Sequence, residues 1–482
     1  MVRGLHQKHL RILIKTCVHP ILTYASPVWF RPDRPQLTLM KRLDSVQNIG
    51  LRLITGAFRT TPIPALHTLS HMPPMEVTLT KLSHSASIHL LKLPFSSLVA
   101  QRLPDVWRNN TSGDTPFPTL SHLPNNARTV RHLTAIEHLA SLTSPKGERI
   151  FPFAHSNHPG TIRLRDHPNL SFDSPKLIQM SPESRQEHCD LINREYQDLY
   201  NGATCLDIGR HMFFCDGSKD KVGAGAGIVY LRGRPDHSRP EDYVQSLFQF
   251  SLGCGKKTTS YDAEMLALAA AALHAYETAM AYYTNDLPFT DLFFFSDSTS
   301  ALTNITDPGP HPGQIYSISF IRNITFIIDI FPSVRIHLGW SPGHSGVTGN
   351  ESADYYTRKD VTLPSPNHSS QAHLKAKLKS SVRKDMKARV KADPNSRGTA
   401  FINYYPPKPK PTNVFKNTSR ELFARATQTL TGHGYTGEYY SRMKLENTKP
   451  WCLCSSSAGA PVFHTRSHVL KECPCHAPFN TS

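Results

Sequence analysis

Acidic side chains are scarce in this sequence. Only 37 Asp and Glu stand against 54 Lys and Arg over 482 residues, a formal charge of +17. That balance favours a polyanionic partner. Cysteine is also sparse, and nine unevenly spaced thiols do not suggest a disulfide framework and point to a reduced, intracellular compartment. Long apolar runs are missing. The most apolar stretch, Ile315 to Phe331, is broken by Arg322, Asn323 and Asp329, so it reads as a buried helix and not a membrane span. The first residues, Met1-Val-Arg-Gly-Leu-His-Gln-Lys8, lack the apolar core of a secretory signal and enter an amphipathic pattern directly. There is no internal repeat. What remains is length enough for two to four domains with a sizeable core.

The charge is unevenly spread. Residues 1–207 carry 23 Lys/Arg against 15 Asp/Glu, residues 363–482 carry 19 against 6, and only residues 208–362 reverse the sign, with 12 against 16. Within that acidic stretch, four carboxylates sit at the ends of predicted elements. His211 to Ser218 is an apolar run ending in Asp216-Gly-Ser, and Gly223 to Tyr230 is a second strand whose small residues let another backbone approach. Tyr243 to Phe250 alternates with period two, as a third strand with one wet face. Tyr261 to Tyr276 is Ala- and Leu-rich at helical spacing and carries Glu264 in its first turn. Leu292 to Ser296 is a continuous apolar strand running into Asp297, and a helix starts there. After a Pro/Gly break, a helix leads to the strand Val334 to Trp340 and then to Ser341-Pro-Gly-His-Ser-Gly-Val-Thr-Gly-Asn-Glu-Ser-Ala-Asp354. The order predicts a mixed α/β sheet with helices packed on it.

Alone, each carboxylate has an ordinary reading: Asp216 in a turn, Glu264 favoured by a helix dipole, Asp297 as an N-cap. Together they form an oxygen-rich set suited to Mg²⁺ or Mn²⁺, and two such ions would clamp an in-line phosphodiester hydrolysis. His344, on a Gly-flanked loop, suits proton transfer.

Asp216-Gly-Ser, Glu264 in Tyr-Asp-Ala-Glu-Met-Leu-Ala-Leu, Ser296-Asp297-Ser and His344-Ser-Gly-x-x-Gly-Asn-Glu-x-Ala-Asp354 resemble the ribonuclease H type 1 domain. The resemblance implies a mixed five-stranded sheet flanked by helices over residues 208–362. It also implies two Mg²⁺ ions on Asp216, Glu264, Asp297 and Asp354, a mobile-loop His344, a loop-organising Asn350, and a substrate contact at Gly217 and Ser218. The implied activity is cleavage of the RNA strand of an RNA–DNA hybrid, leaving a 5′ phosphate and a 3′ hydroxyl. The stretch Leu231 to Asp242 departs from the family pattern as an insert-like segment. Two rival readings are a catalytically silent nucleic-acid-binding remnant and a DNA strand-transfer enzyme on a similar fold, whose fixed Asp-Asp-Glu pattern leaves the His344-to-Asp354 loop unexplained.

Outside this stretch, Leu5–Tyr24, Gln36–Thr55 (with Leu39, Leu43, Val46, Ile49 and Leu53) and Glu76–Leu91 read as amphipathic helices in a segment spanning 1–92. Leu22-Thr-Tyr-Ala-Ser-Pro-Val-Trp29, Val46 to Pro62 and Leu69-Ser-His-Met-Pro-Pro74 resemble the thumb-like region after the polymerase core of non-LTR retrotransposon reverse transcriptases. No Tyr-x-Asp-Asp motif occurs, so the resemblance implies the C-terminal part of such a polyprotein without its polymerase site. Residues 93–207 read as a Pro/Ser/His-rich linker, and 363–450 as a basic linker holding an amphipathic helix, His373–Lys391, whose charges serve either as a solvated face or for phosphate contact. Over 451–476, Cys452, Cys454, His468 and Cys473 form a candidate zinc knuckle, with His464 and Cys475 as competing ligands. An RNA–DNA hybrid is the expected partner; neither a membrane nor an obligate protein partner is expected.

Overall fold

The computed structural model describes residues 4–93, 97–104, 134–142, 147–148, 150, 164–172, 181–201, 208–233, 247–359, 369–391, 405–454 and 459–475. The chain divides into two compact units, Ser87–Lys377 and a second made of Met1–Ala86 with Leu378–Ser482.

The Ser87–Lys377 unit is built on one mixed sheet. Its strands are β1 (Leu170–Phe172), β2 (Arg210–Lys219), β3 (Ala224–Arg232), β4 (Leu247–Gly255), β5 (Asp291–Ser296) and β6 (Arg335–Trp340), in the order β1-β6-β5-β2-β3-β4. β2, β3 and β4 form an antiparallel meander. β5 pairs with β2 in parallel, β6 with β5 in parallel, and β1 adds a short parallel edge to β6. The flanking helices are α1 (Pro182–Asn201), α2 (Ser260–Thr284), α3 (Thr299–Ile305), α4 (Gln314–Ile330) and α5 (Thr348–Lys359).

Side-chain alternation sends each strand into two cores. Phe213, Cys215, Ile228, Tyr230 and Phe294 pack under α2 and α4. Met212, Phe214, Val229, Leu231 and Phe295 pack under α1 and Ala353 of α5. The Phe293-Phe-Phe295 run is therefore consumed on both faces of an interior parallel strand. On α2, Ala263, Ala267, Ala271, Ala275 and Ala279 recur every fourth residue and are all buried, so the helix axis lies close to the sheet. A reciprocal capping box between Thr259 and Asp262 starts that helix.

Two expectations change. The sheet has six strands and not five, because β1 comes from inside the stretch read as linker. That same stretch supplies α1, whose Cys189, Ile192, Tyr196 and Leu199 form a buried stripe; proline content across 93–207 obscured a proline-free run after Pro182. The third strand is described from Leu247, and residues 243–246 of the expected strand lie outside the described residues. Of the insert-like stretch, Leu231 and Arg232 belong to β3, and residues 234–242 lie outside the described residues.

In the second unit, the helix Leu37–Thr55 buries Met40, Gln47, Leu51 and Ile54. Val46, Ile49 and Leu53 of the expected stripe are exposed instead. The reason lies in the later chain. Helices Asn413–Asn417 and Arg420–Thr431 fold onto this segment, where Phe415 and Phe423 join Ile14, Leu51, Ile54, Leu66 and Met72 in one core. The Arg420 guanidinium donates to the Leu53 and Ile54 carbonyls, and Gln428 donates to the Gly56 carbonyl. The open C-terminus of the earlier helix is thus capped by the later one. Residues 413–431 are a structural lid of this core and not a linker. The basic helix is present as Gln371–Lys391, with Met386 its buried anchor. Among the described residues, no helix is long and apolar enough to cross a membrane.

Gly227 of β3 lets α5 sit on the sheet: a Cβ there would lie 2.1 Å from the Ala353 carbonyl oxygen and 2.7 Å from the Thr357 nitrogen. Both obstacles are backbone, which cannot swing aside. Gly227→Ala is expected to lower unfolding free energy by about 1–3 kcal/mol, the scale of core overpacking, in urea titration of the full chain. Unchanged stability would show that α5 does not approach β3 this closely.

Candidate metal centre

Asp216 lies near the C-terminal end of central strand β2 and is mostly buried. Gly217 follows it. A Cβ on Gly217 would lie 2.2 Å from the Glu264 nitrogen, so this glycine lets the second turn of α2 press against the strand and brings Glu264 beside Asp216. Gly217 therefore has a packing role that the motif did not announce. Asp297 follows β5 directly, with Ser298 capping α3 by accepting from the Ala301 N–H. A Cβ on Gly343 would lie 2.4 Å from Asp297 Oδ2, so the histidine loop passes as close to this carboxylate as a chain can.

Carboxylate oxygens of Asp216, Glu264 and Asp297 lie within 4.8 Å of one another. Asp354, from α5, lines the same cavity but stands outside that trio; its two oxygens accept from Arg358 Nη2 at 3.0 and 2.8 Å. The cavity, about 430 Å³, is also lined by Gly217, Ser218, His344 and Asn350. Every residue expected from the motif thus shares one hollow, although 138 positions separate Asp216 from Asp354. Asn350 is buried, and its Oδ1 has no hydrogen-bond partner among the described residues. The motif reading missed Arg358, although an acid four residues before an arginine on a helix is a legible pair. It also missed the Ser296 hydroxyl, which donates to Glu264 Oε2 at 3.0 Å.

The trio holds more negative charge than it can solvate. Burial first, and then the charge on Asp297, raise Asp216 to about 6. Burial followed by Asp216 and Asp297 pushes Glu264 well above the ordinary carboxylate range, with the Ser296 bond opposing. Asp297 is raised by burial, which the Glu264 hydrogen bond and the His344 charge partly offset. Protonated Glu264 is then the donor that helps its neighbours stay ionised. Buried oxygen donors with uncompensated charge fit a hard divalent cation.

The other expected cluster also assembles. Ligand atoms of Cys452, Cys454, His468 and Cys473, all buried, lie within 4.8 Å of one another. Cys452 Sγ is 3.4 Å from Cys473 Sγ, and Cys454 Sγ is 3.2 Å from His468 Nε2. Cys475 is exposed, and His464 Nδ1 accepts from the Gly437 N–H at 3.2 Å. Soft sulfur and imidazole donors at this spacing fit one tetrahedral zinc ion.

Because Asp216 binds its proton more tightly folded (about 6) than unfolded (about 4), its contribution to stability is full below pH 4 and is lost as pH rises towards 6. In chelator, Asp216→Asn is therefore expected to stabilise the chain at pH 7.5, by up to about 2–3 kcal/mol, and to have little effect at pH 4. Calorimetric unfolding at both pH values checks this; equal effects at the two would refute the crowding.

No protein-family model matches the chain, and no curated protein matches it. Among solved structures, it is similar to the crystal structure of RNase H1 from the halophilic archaeon Halobacterium salinarum NRC-1, at 19% identity, over 31% of this chain and 94% of that chain, with a TM-score of 0.20.

Proposed function

We propose that the sheet unit is a ribonuclease H that hydrolyses the RNA strand of RNA–DNA hybrids. One observation carries the reading: Asp216, Glu264, Asp297, Asp354 and His344, drawn from five separate segments, line a single cavity. Two Mg²⁺ or Mn²⁺ ions held by the four carboxylates would supply the charge stabilisation that an attacking water and a leaving 3′ oxygen require. The chain's own groups do the rest. The buried trio makes the hollow inhospitable to a bare phosphate unless cations are shared. His344 is the group poised to deliver a proton to the 3′ oxygen. The exposed Lys377, Lys379, Arg383, Lys384 and Lys387 of the basic helix are cations suited to phosphate contact. The retroelement setting rests on the sequence likeness of residues 5–92 alone.

The test is cleavage of labelled RNA–DNA, RNA–RNA and DNA–DNA duplexes with Mg²⁺. Only the RNA of the hybrid should be cut. Asp216→Asn should slow cutting at least about a hundredfold, and His344→Ala about ten- to a hundredfold with Mg²⁺ affinity retained. An Asp216→Asn rate near wild type would overturn the assignment, and hybrid binding without cleavage would leave a silent binding remnant.

For the second cluster we propose structural zinc. Chain purified without added metal should contain close to one zinc, Cys473→Ser should lose it, and chelation should expose the tail to protease while the sheet unit stays folded; structural zinc supplies about 10–16 kcal/mol in small units. Zinc near zero by elemental analysis would remove the proposal.

A further inference from the structure

His344 sits at φ +50°, a left-handed conformation for a residue with a Cβ, and Gly346 at φ +77°. A non-glycine residue held there is strained and persists only where the surroundings determine it. The surroundings are supplied from outside the motif. On α1, Asn193 Nδ2 donates to the Gly346 carbonyl at 2.8 Å, while its Oδ1 accepts from the Thr348 N–H at 2.9 Å. A flipped amide would oppose like groups at both ends, so the two bonds fix its orientation. About two turns earlier on the same helix, Arg185 Nη2 donates to Ser345 Oγ at 3.1 Å. His188 Nε2 lies 2.9 Å from the Trp340 carbonyl, which can only accept, and its ring stacks on that indole; Trp340 Nε1 in turn donates to the Asp297 carbonyl at 2.9 Å. Beneath these contacts, Val347 joins Cys189, Ile192, Tyr196 and Leu199 in one core.

We propose that Asn193 is a positioning residue for the reaction: through α1 it clamps the loop that aims His344 into the metal cavity. The inference rests on the ribonuclease reading for its catalytic consequence, but the clamp itself is a property of the folded chain. Asn193 is only partly buried, so its replacement by Ala spares the core.

The experiment uses the full chain. In the metal-free protein, Asn193→Ala should raise amide hydrogen exchange at Ser345–Thr348 about tenfold or more while α2 and β2 stay protected. On labelled hybrid with Mg²⁺, kcat should fall about three- to thirtyfold with KM within about twofold, the pattern of a lost proton-transfer geometry. In a His344→Ala background the same substitution should cost almost nothing further, since the clamp acts through that imidazole. Arg185→Ala, on an exposed side chain, should show the same pattern more weakly. Unchanged exchange at Ser345–Thr348 overturns the clamp, and so does full additivity of Asn193→Ala with His344→Ala. Wild-type chain that cuts no hybrid, or an Asp216→Asn variant that cuts normally, overturns the ribonuclease reading instead, and exchange then decides the clamp by itself.

Discussion

Three carboxylates crowded out of water are the constraint around which the sheet unit is arranged. Asp216, Glu264 and Asp297 repel one another in a site where burial already disfavours charge, and nothing about such a cluster helps a fold. Keeping it costs stability, so the surrounding backbone must leave the side chains no retreat. Gly217 and Gly343 remove the Cβ atoms that would hold α2 and the histidine loop away. Long alanine-lined α2 lies flat on the sheet, and two cores pin β2 from both faces. The arrangement is the one expected where stability yields to a site that cations complete.

The carboxylate cluster and the histidine are held by different means. The carboxylates ride on strands and helices, where position follows from packing. His344 rides on a strained loop, where position follows from hydrogen bonds made by a helix that lies between β1 and β2 in sequence. A loop tied at Ser345, Gly346 and Thr348 keeps the imidazole at the rim of the carboxylate cavity.

In the second unit, two stretches from opposite ends of the chain share one core. The helix Leu37–Thr55 presents a polar Gln47 to its buried side, made tolerable by the bond from its Nε2 to the Pro73 carbonyl at 2.9 Å. Its exposed Val46, Ile49 and Leu53 show that apolar spacing alone does not choose which face is covered. The choice followed from which partner segment arrived, and that partner lies more than 350 residues downstream, with Arg420 bonded to Ile54.

By itself the sequence determined the carboxylates and the histidine that share one hollow, most of the strands and helices that carry them, the basic helix and the Cys/His set, because each is a local pattern whose residue types admit few other uses together: carboxylates at element ends, a glycine-flanked histidine, thiols beside an imidazole. Only the tertiary structure decided the sixth strand, the role of α1 and the buried face of Leu37–Thr55. Each of these depends on a contact between segments distant in the chain, and local spacing carries no record of the partner: Asn193 is an unremarkable helix residue until the fold lays it against Gly346 and Thr348.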